Sequence, residues 1–455
     1  MARPGSSLVS AIAVDAETTP LESWIARRLS IPPHALTREG LAHYQLRAIQ
    51  KTVAWARQHS SFYAQHFAGL RCDVPRSLDE LARLPFTLPE DLTLRSPGFL
   101  CVSQDEISRV VTMQTSGTSG TPKRIFFTEA DQELALDFFA NGIAAMAAPG
   151  DRMLIALPGE REGSVGYQLA KGIARAGVNP IPHGLSTDPA QTLAHMEQEK
   201  ATCIIGLPVQ MLALFSNYSA CAGSVFRRLR SIVLCSDHVP ESLARRLRQR
   251  TGCEVFEHYG MTEMGLGGGV DCAAHMGYHL READLYFEIV DPESGEPLPD
   301  GEIGEIVFTT LHRTGMPLIR YRTGDLSRFL PGPCGCGAML KRLERVRSRI
   351  DGFVSLGRWG SISIGLLDEA LFGLAGVLDF SATIAQSTPI RLEISVYAPG
   401  IGSVQIEAAV CGALRTLPVI CHACTSGEVE LRVISAREAF PATGAKRKIK
   451  VCAEL

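Results

Sequence analysis

The residues best suited to chemistry are Thr115, Ser116, Gly117, Thr118, Ser119, Gly120 and Lys123, in the run Thr-Ser-Gly-Thr-Ser-Gly-Thr-Pro-Lys. Glycines let successive backbone N–H groups converge on an anion, the hydroxyls add donors and the lysine adds charge. A polyphosphate is the natural ligand for that combination; a flexible Ser/Gly hairpin is the plainer alternative. The spacing fits neither a Gly-x-x-x-x-Gly-Lys-Ser/Thr loop nor a Gly-x-Gly-x-x-Gly dinucleotide loop.

Two further groups of residues have chemical potential. In His258-Tyr259-Gly260-Met261-Thr262-Glu263, the tyrosine can stack on a base, Thr262 can bond a phosphate and Glu263 can hold a Mg²⁺ ion that bridges phosphates. Cys272, His275 and His279 lie close together, and Cys334 and Cys336 follow in a Pro/Gly-rich turn. Thiolates and imidazoles so disposed suit tetrahedral zinc, against free thiols in a tight turn. Cys421-His-Ala-Cys424 has metal-like spacing but no second pair nearby, and reads as buried thiols.

These residues need elements to position them. Apolar spacing predicts helix over 38–67. Strand-like runs flank the Ser/Gly loop at Ile107–Met113 and Arg124–Phe127. From Glu129 on, short apolar strands (153–157, 201–205, 231–235, 254–256) alternate with helical segments (130–146, 164–176, 189–198, 208–217, 240–250), which implies a parallel α/β sheet. Ligands on such sheets gather at the carboxyl ends of strands, where Ser236-Asp237-His238 and the segment from His258 to Glu263 fall. After Gly269 the pattern becomes antiparallel β, with strands at 286–290 and 305–309. The last hundred residues mix strands (391–397, 429–434) with helices (366–372, 404–417), as a small α+β domain behind a linker.

Composition narrows the function. The 455 residues exceed one ordinary core, and 45% hydrophobic with 20% charged is typical of a globular enzyme-sized protein. A net charge of −3 argues against nucleic acid, and no apolar run is long enough to span a membrane. The basic runs at 227–230 and 245–250 read as solvated helix faces or as contacts to a phosphorylated cofactor. Residues 1–20 look like a loose leader without signal-peptide character. Thirteen scattered cysteines fit reduced thiols in a cytoplasmic protein.

The run 115–123 resembles the phosphate loop of the adenylate-forming, acyl-CoA synthetase superfamily, differing only in Ser119 for threonine. Tyr259-Gly-Met-Thr-Glu263 matches its second motif, about 140 residues later, and Arg320-Tyr-Arg-Thr-Gly-Asp325 its third. Gly301–Leu311, Met316–Arg322 and Ser61-Phe-Tyr63 resemble the phenylacetate–CoA ligase branch. The resemblance implies a large domain (1–350) of parallel α/β sheets plus a β region, stapled by zinc at about 270–340. A small mobile α+β domain (351–455) follows a hinge at Arg349 and Asp351. It implies that Asp325 binds ribose, that Ser236, Asp237, His258, Tyr259, Gly260, Met261 and Arg349 line the nucleotide site, and that Thr262 and Glu263 act on phosphates and Mg²⁺. Lys446, or Lys448 behind it, would reach the α-phosphate. The zinc ligands would be Cys272, His279, Cys334 and Cys336, with His275 spare.

The implied function is an AMP-forming carboxylate–CoA ligase. ATP activates an acid, aryl or arylacetic by resemblance, to an acyl-adenylate; CoA then takes the acyl group as a thioester. The residues after the hinge, Leu356-Gly-Arg-Trp-Gly360, depart from the usual pattern. An enzyme that stops at the adenylate, or loads a carrier-protein thiol, therefore stays open. So do a non-catalytic nucleotide- or acyl-binding protein and a plain ATPase or kinase. Relatives admit a homodimer.

Overall fold

The computed structural model describes residues 20–70, 74–113, 122–216, 223–440 and 446–452. The leader, the loop residues Thr115–Gly120 and the Gly444 step before Lys446 lie outside the described residues.

The helical periodicity over 38–67 resolves into two helices, Arg38–His59 and Ser61–His66. The break is a capping event: Ser60 Oγ accepts from Tyr63 N (3.2 Å) and donates to the Gly98 carbonyl (2.8 Å). A helix at Glu22–Arg28, not expected from the sequence, packs Trp24 and Ile25 inward; Trp24 Nε1 donates to Asp137 at 2.7 Å.

The core is an eight-stranded sheet. In spatial order its strands are Arg342–Leu343, Tyr278–Leu280, Gly269–Val270, Glu254–Tyr259, Ser231–Leu234, Cys203–Gly206, Arg152–Ala156 and Asn179–Pro182. The last five are mutually parallel. Cys203–Gly206 and Ser231–Leu234 are buried at every residue, as expected where helices cover both faces. The short strands at 269–280 pair antiparallel with this sheet, so the β region expected at 270–340 is divided between two sheets. Its remainder is a four-stranded antiparallel sheet: Leu285–Val290, Gly304–Thr310, Tyr321–Ser327 and Ser348–Arg349. Gly324 forms a kink within the strand Tyr321–Ser327, with φ at +76°, a conformation that favours glycine.

Beyond Gly352, the strands Val429–Ser435, Ile390–Tyr397, Asp379–Ala385 and Lys450–Cys452 form a second mixed sheet, in that order. Helices Ile364–Phe372, Ser403–Arg415 and Pro418–Thr425 accompany it. This unit docks on the helix Glu241–Thr251. The Glu369 carboxylate accepts from the N–H groups of Glu241 (2.8 Å) and Ser242 (3.1 Å), which are orphan donors at a helix start. Arg246 donates to the carbonyls of Phe372, Leu374 and Val377. One hydrophobic cluster runs across the contact, from Leu243 and Leu247 to Leu367 and Leu371. Cys421 and Cys424 are half-exposed on their helix, not buried, because Ile420 and Ala423 take its inward face. Among the described residues no single helix is long and apolar enough to cross a membrane.

Candidate active site

The site forms where the carboxyl ends of the parallel strands meet the antiparallel sheet. The strand Ser231–Leu234 runs out into Cys235, Ser236, Asp237 and His238. Ser236 adopts φ +72°, a left-handed conformation that costs a non-glycine residue free energy. The next strand, Glu254–Tyr259, carries His258 and Tyr259, then Gly260, Met261 and a 3₁₀ turn at Thr262–Met264. Only glycine fits at 260: a Cβ there would lie 2.2 Å from the Leu266 carbonyl oxygen.

Glu263 is the buried centre of one polar group. Its Oε1 accepts from Lys123 Nζ at 2.6 Å and from Tyr321 OH at 3.2 Å, and Lys123 also donates to Tyr321 OH at 3.0 Å. Burial pushes this carboxyl up, but the Lys123 ammonium outweighs it and holds the group below the usual range, hence ionised. Buried Arg313 donates to the Glu263 backbone carbonyl at 2.8 Å and lies over Phe127, which fixes the turn from behind.

Asp325 centres the second group. Its Oδ2 accepts from Tyr259 OH at 3.0 Å and its Oδ1 from Arg349, whose other nitrogen donates to the Thr323 carbonyl at 3.0 Å. Burial, then the Asp325 charge, drives the Tyr259 hydroxyl well above its ordinary pKa, so it is a donor here. The Tyr259 ring stacks on Tyr278 at 5.9 Å between centroids.

The C-terminal segment reaches the same edge. Arg447 N donates to Asp237 Oδ2 at 3.3 Å, and the Arg447 side chain pairs with buried Asp368 and donates to the Phe380 carbonyl. Lys446 therefore neighbours the residue that bonds Asp237, just past the strand Ser231–Leu234, and its side chain is exposed; Lys448 is exposed as well. Burial raises both the Asp237 and Asp368 carboxyls, the latter to about 7.

An apolar cavity of about 70 Å³ opens between the strand ends and the helices Glu129–Gly142 and Val165–Arg175, lined by Phe138, Met146, Leu169, Val233, His258 and Leu266 among others. Ser236 and Gly260 also border it, so it adjoins the polar groups above. A larger, open depression of about 900 Å³ lies past the two outer strands, around Arg161, His183 and His195. It touches none of the motif residues, so the smaller cavity is the one that adjoins the site.

Away from this edge, Cys272, His279, Cys334 and Cys336 bring their ligand atoms within 4.8 Å of one another. The Cys272–Cys334 sulfurs are 3.7 Å apart and Cys336 Sγ is 3.4 Å from His279 Nε2. Tetrahedral bonds of about 2.3 Å to sulfur and about 2.05 Å to nitrogen would give roughly 3.8 and 3.6 Å. Burial and the Arg342 charge push the His279 imidazole down to about 4, so it is neutral, as a ligand must be. His275 turns elsewhere, to Asp271 (2.7 Å) and Glu254 (2.9 Å).

The pattern of the AMP-binding enzymes matches residues 91–312. A phenylacetate-coenzyme A ligase of Pseudomonas putida is 30% identical over 333 residues, 71% of this chain and 74% of that protein. The chain belongs to this family of AMP-binding enzymes. A Thermus thermophilus phenylacetate-coenzyme A ligase is 29% identical over 331 residues, 70% of this chain and 72% of the relative. Among solved structures, 2-hydroxyisobutyryl-CoA ligase in the postadenylation state with R3-HIB-AMP superposes with a TM-score of 0.75. It is 21% identical, covering 96% of this chain and 94% of that one. The same ligase in its thioesterification state gives 0.64 over the same shares of the two chains, at 22% identity.

Of the AMP-binding family's motif positions, the fold brings Lys123, Glu263, Tyr259, Asp325, Arg349, Ser236, Asp237 and the Lys446 segment to one edge. His258 borders the apolar cavity together with Ser236 and Gly260, and Thr115–Gly120 lie outside the described residues. Tyr321, Arg313, Arg447 and Asp368 were not singled out from the sequence. Tyr321 stood inside a quoted motif and Arg447 between the two candidate lysines; Arg313 and Asp368 carry no local signal.

Proposed function

We propose that this chain is an AMP-forming carboxylate–CoA ligase in which two buried carboxylates divide the nucleotide between them. The observation that carries the reading is their convergence at one sheet edge: Lys123–Glu263 on one side, Tyr259–Asp325–Arg349 on the other. In the first step a carboxylate oxygen bonds to the α-phosphorus and the bond to pyrophosphate breaks. In the second a thiol sulfur bonds to the acyl carbon, AMP departs with the acyl oxygen bond, and the thiol proton is lost. The chain's work is orientation and charge neutralisation. Asp325 accepts ribose hydroxyls, sharing Arg349; Lys123 and the loop before it take the phosphates; Lys446 neutralises charge at the α-phosphate.

Both side-chain bonds to Glu263 use Oε1, and the group is ionised, which suits Mg²⁺ at Oε2. The metal would neutralise phosphate charge. Zinc at Cys272, His279, Cys334 and Cys336 is supported by the near-tetrahedral spacings and would tie the central sheet to the loop at 330–338. It stands apart from the reacting groups and is structural. The free thiols among the described residues suit a reducing, cytoplasmic setting.

The acid is carried by an apolar tail. At about 70 Å³ the cavity is half the roughly 150 Å³ that accommodates benzene, so a compact acyl group fits as the walls stand. An arylacetic acid would need more room than this volume offers. The swing between half-reactions would break the Glu369 and Arg246 bonds across the domain contact. Acid-dependent pyrophosphate release from ATP, with and without CoA, tests the reading.

A further inference from the structure

His258 stands out in the acyl pocket because the lining is otherwise mostly apolar, with Ser236 the other polar side chain on it. Phe138 and Phe139 flank it, with centroids 6.0 and 6.2 Å away. Its Nε2 is buried and has no hydrogen-bond partner among the described residues. A Cβ on Gly267 would come within 3.0 Å of that atom and 2.1 Å of the Phe138 ring, so the backbone at Gly267 packs directly against Nε2 and leaves no room there for a side chain of the protein. Burial, then the nearby Arg281 charge, holds the imidazole down to about 4, so it is neutral under ordinary conditions. A buried polar atom without a partner is costly, and native structures keep few of them without cause. A neutral imidazole nitrogen is either a donor or an acceptor according to tautomer, and only a group that does both suits either.

Resting on the ligase reading, we infer that His258 is a specificity residue that hydrogen-bonds a hydroxyl on the acyl group, so that the preferred acid is a hydroxylated one. An aliphatic hydroxy acid and a hydroxyaryl acid share this chemistry. Loss of such a bond inside an apolar pocket leaves the site's own polar atom unpaired, which makes the discrimination larger than for a surface contact.

The test uses full-length protein and acyl-sulfamoyl-adenosines, stable mimics of the adenylate whose adenosine half binds whatever the acyl group. Two series are compared: a short branched acyl group with and without a hydroxyl, and a benzoyl group with and without one. The expected result is a roughly tenfold tighter Kd for the hydroxylated member of one series. The series that responds identifies the source. In His258→Leu the advantage disappears, and in His258→Gln part of it returns. The melting temperature of His258→Leu without ligand stays level or rises, since an unpaired polar atom has been removed. Equal binding within both series, an advantage that survives in His258→Leu, or a large loss of stability in that variant overturns the inference while leaving the ligase reading intact. No binding of any analogue overturns the ligase reading and this inference with it.

Discussion

Lys123 Nζ lies 2.6 Å from Glu263 Oε1, joining residues 140 apart in sequence. The side chains are 14% and 4% exposed, so each is the other's main compensation for leaving water. The pair holds the Glu263 carboxyl below its ordinary range, and such a group stabilises the fold above its unfolded pKa of about 4.3 and loses that contribution as pH falls through the lower folded value.

Lys123→Met removes the charge that chiefly opposes burial at Glu263, so the carboxyl rises above its unfolded value and destabilises the fold at higher pH. The variant is expected to lose about 3–5 kcal/mol at pH 7 and far less near pH 4. Thermal melts of both proteins from pH 4 to 8 check this: the gap in Tm widens with pH. A gap independent of pH contradicts the pairing.

The four-ligand group predicts one zinc per chain by elemental analysis. Cys334→Ser is expected to lose the metal and to lower Tm by roughly 5 °C or more, and a chelator to lower wild-type Tm similarly without touching Cys334→Ser. His275→Ala keeps its zinc, because that ring bonds Asp271 and Glu254.

Gly260→Ala is expected to be destabilised by about 1–3 kcal/mol or more, since its Cβ meets a backbone carbonyl that cannot turn aside. Gly267→Ala meets the Phe138 ring instead, which can shift; it is expected to fold and to raise KM for the acid with little change in KM for ATP. Melting curves and steady-state kinetics separate the two.

The late lysine is assigned by half-reaction. Lys446→Ala is expected to lower acid-dependent pyrophosphate release by about 100-fold or more while sparing thioester formation from a supplied acyl-adenylate. Lys448→Ala is expected to change the first step little. The reverse pattern would move the role to Lys448.

The order of elements was legible because short apolar strands and capped helices leave local marks. Thr128 and Asp131 box the start of helix Glu129–Gly142, and the fully apolar Cys-Ile-Ile-Gly run could only be a covered strand. The three motifs were legible for the same reason, as contiguous residues. Pairings across the fold were not. Nothing near Glu263 announces Lys123 and Tyr321, nothing near Arg447 announces Asp368, and Arg246 gives no hint that it binds three carbonyls of the small domain. The pattern also misplaced Cys421 and Cys424, since apolar spacing gives a helix its inward face only when the neighbouring residues are weighed together. His258, read as part of a nucleotide motif, borders the apolar cavity while its neighbour Tyr259 turns to Asp325, because alternate residues of a strand point to opposite sides.

The most direct measurement is pyrophosphate release from ATP by the purified chain, across aliphatic, hydroxylated and aryl acids, with and without CoA. The account predicts release that depends on one class of acid, rises with CoA and falls at least 100-fold in Glu263→Gln. Phosphate in place of pyrophosphate, or release indifferent to both acid and CoA, would contradict it.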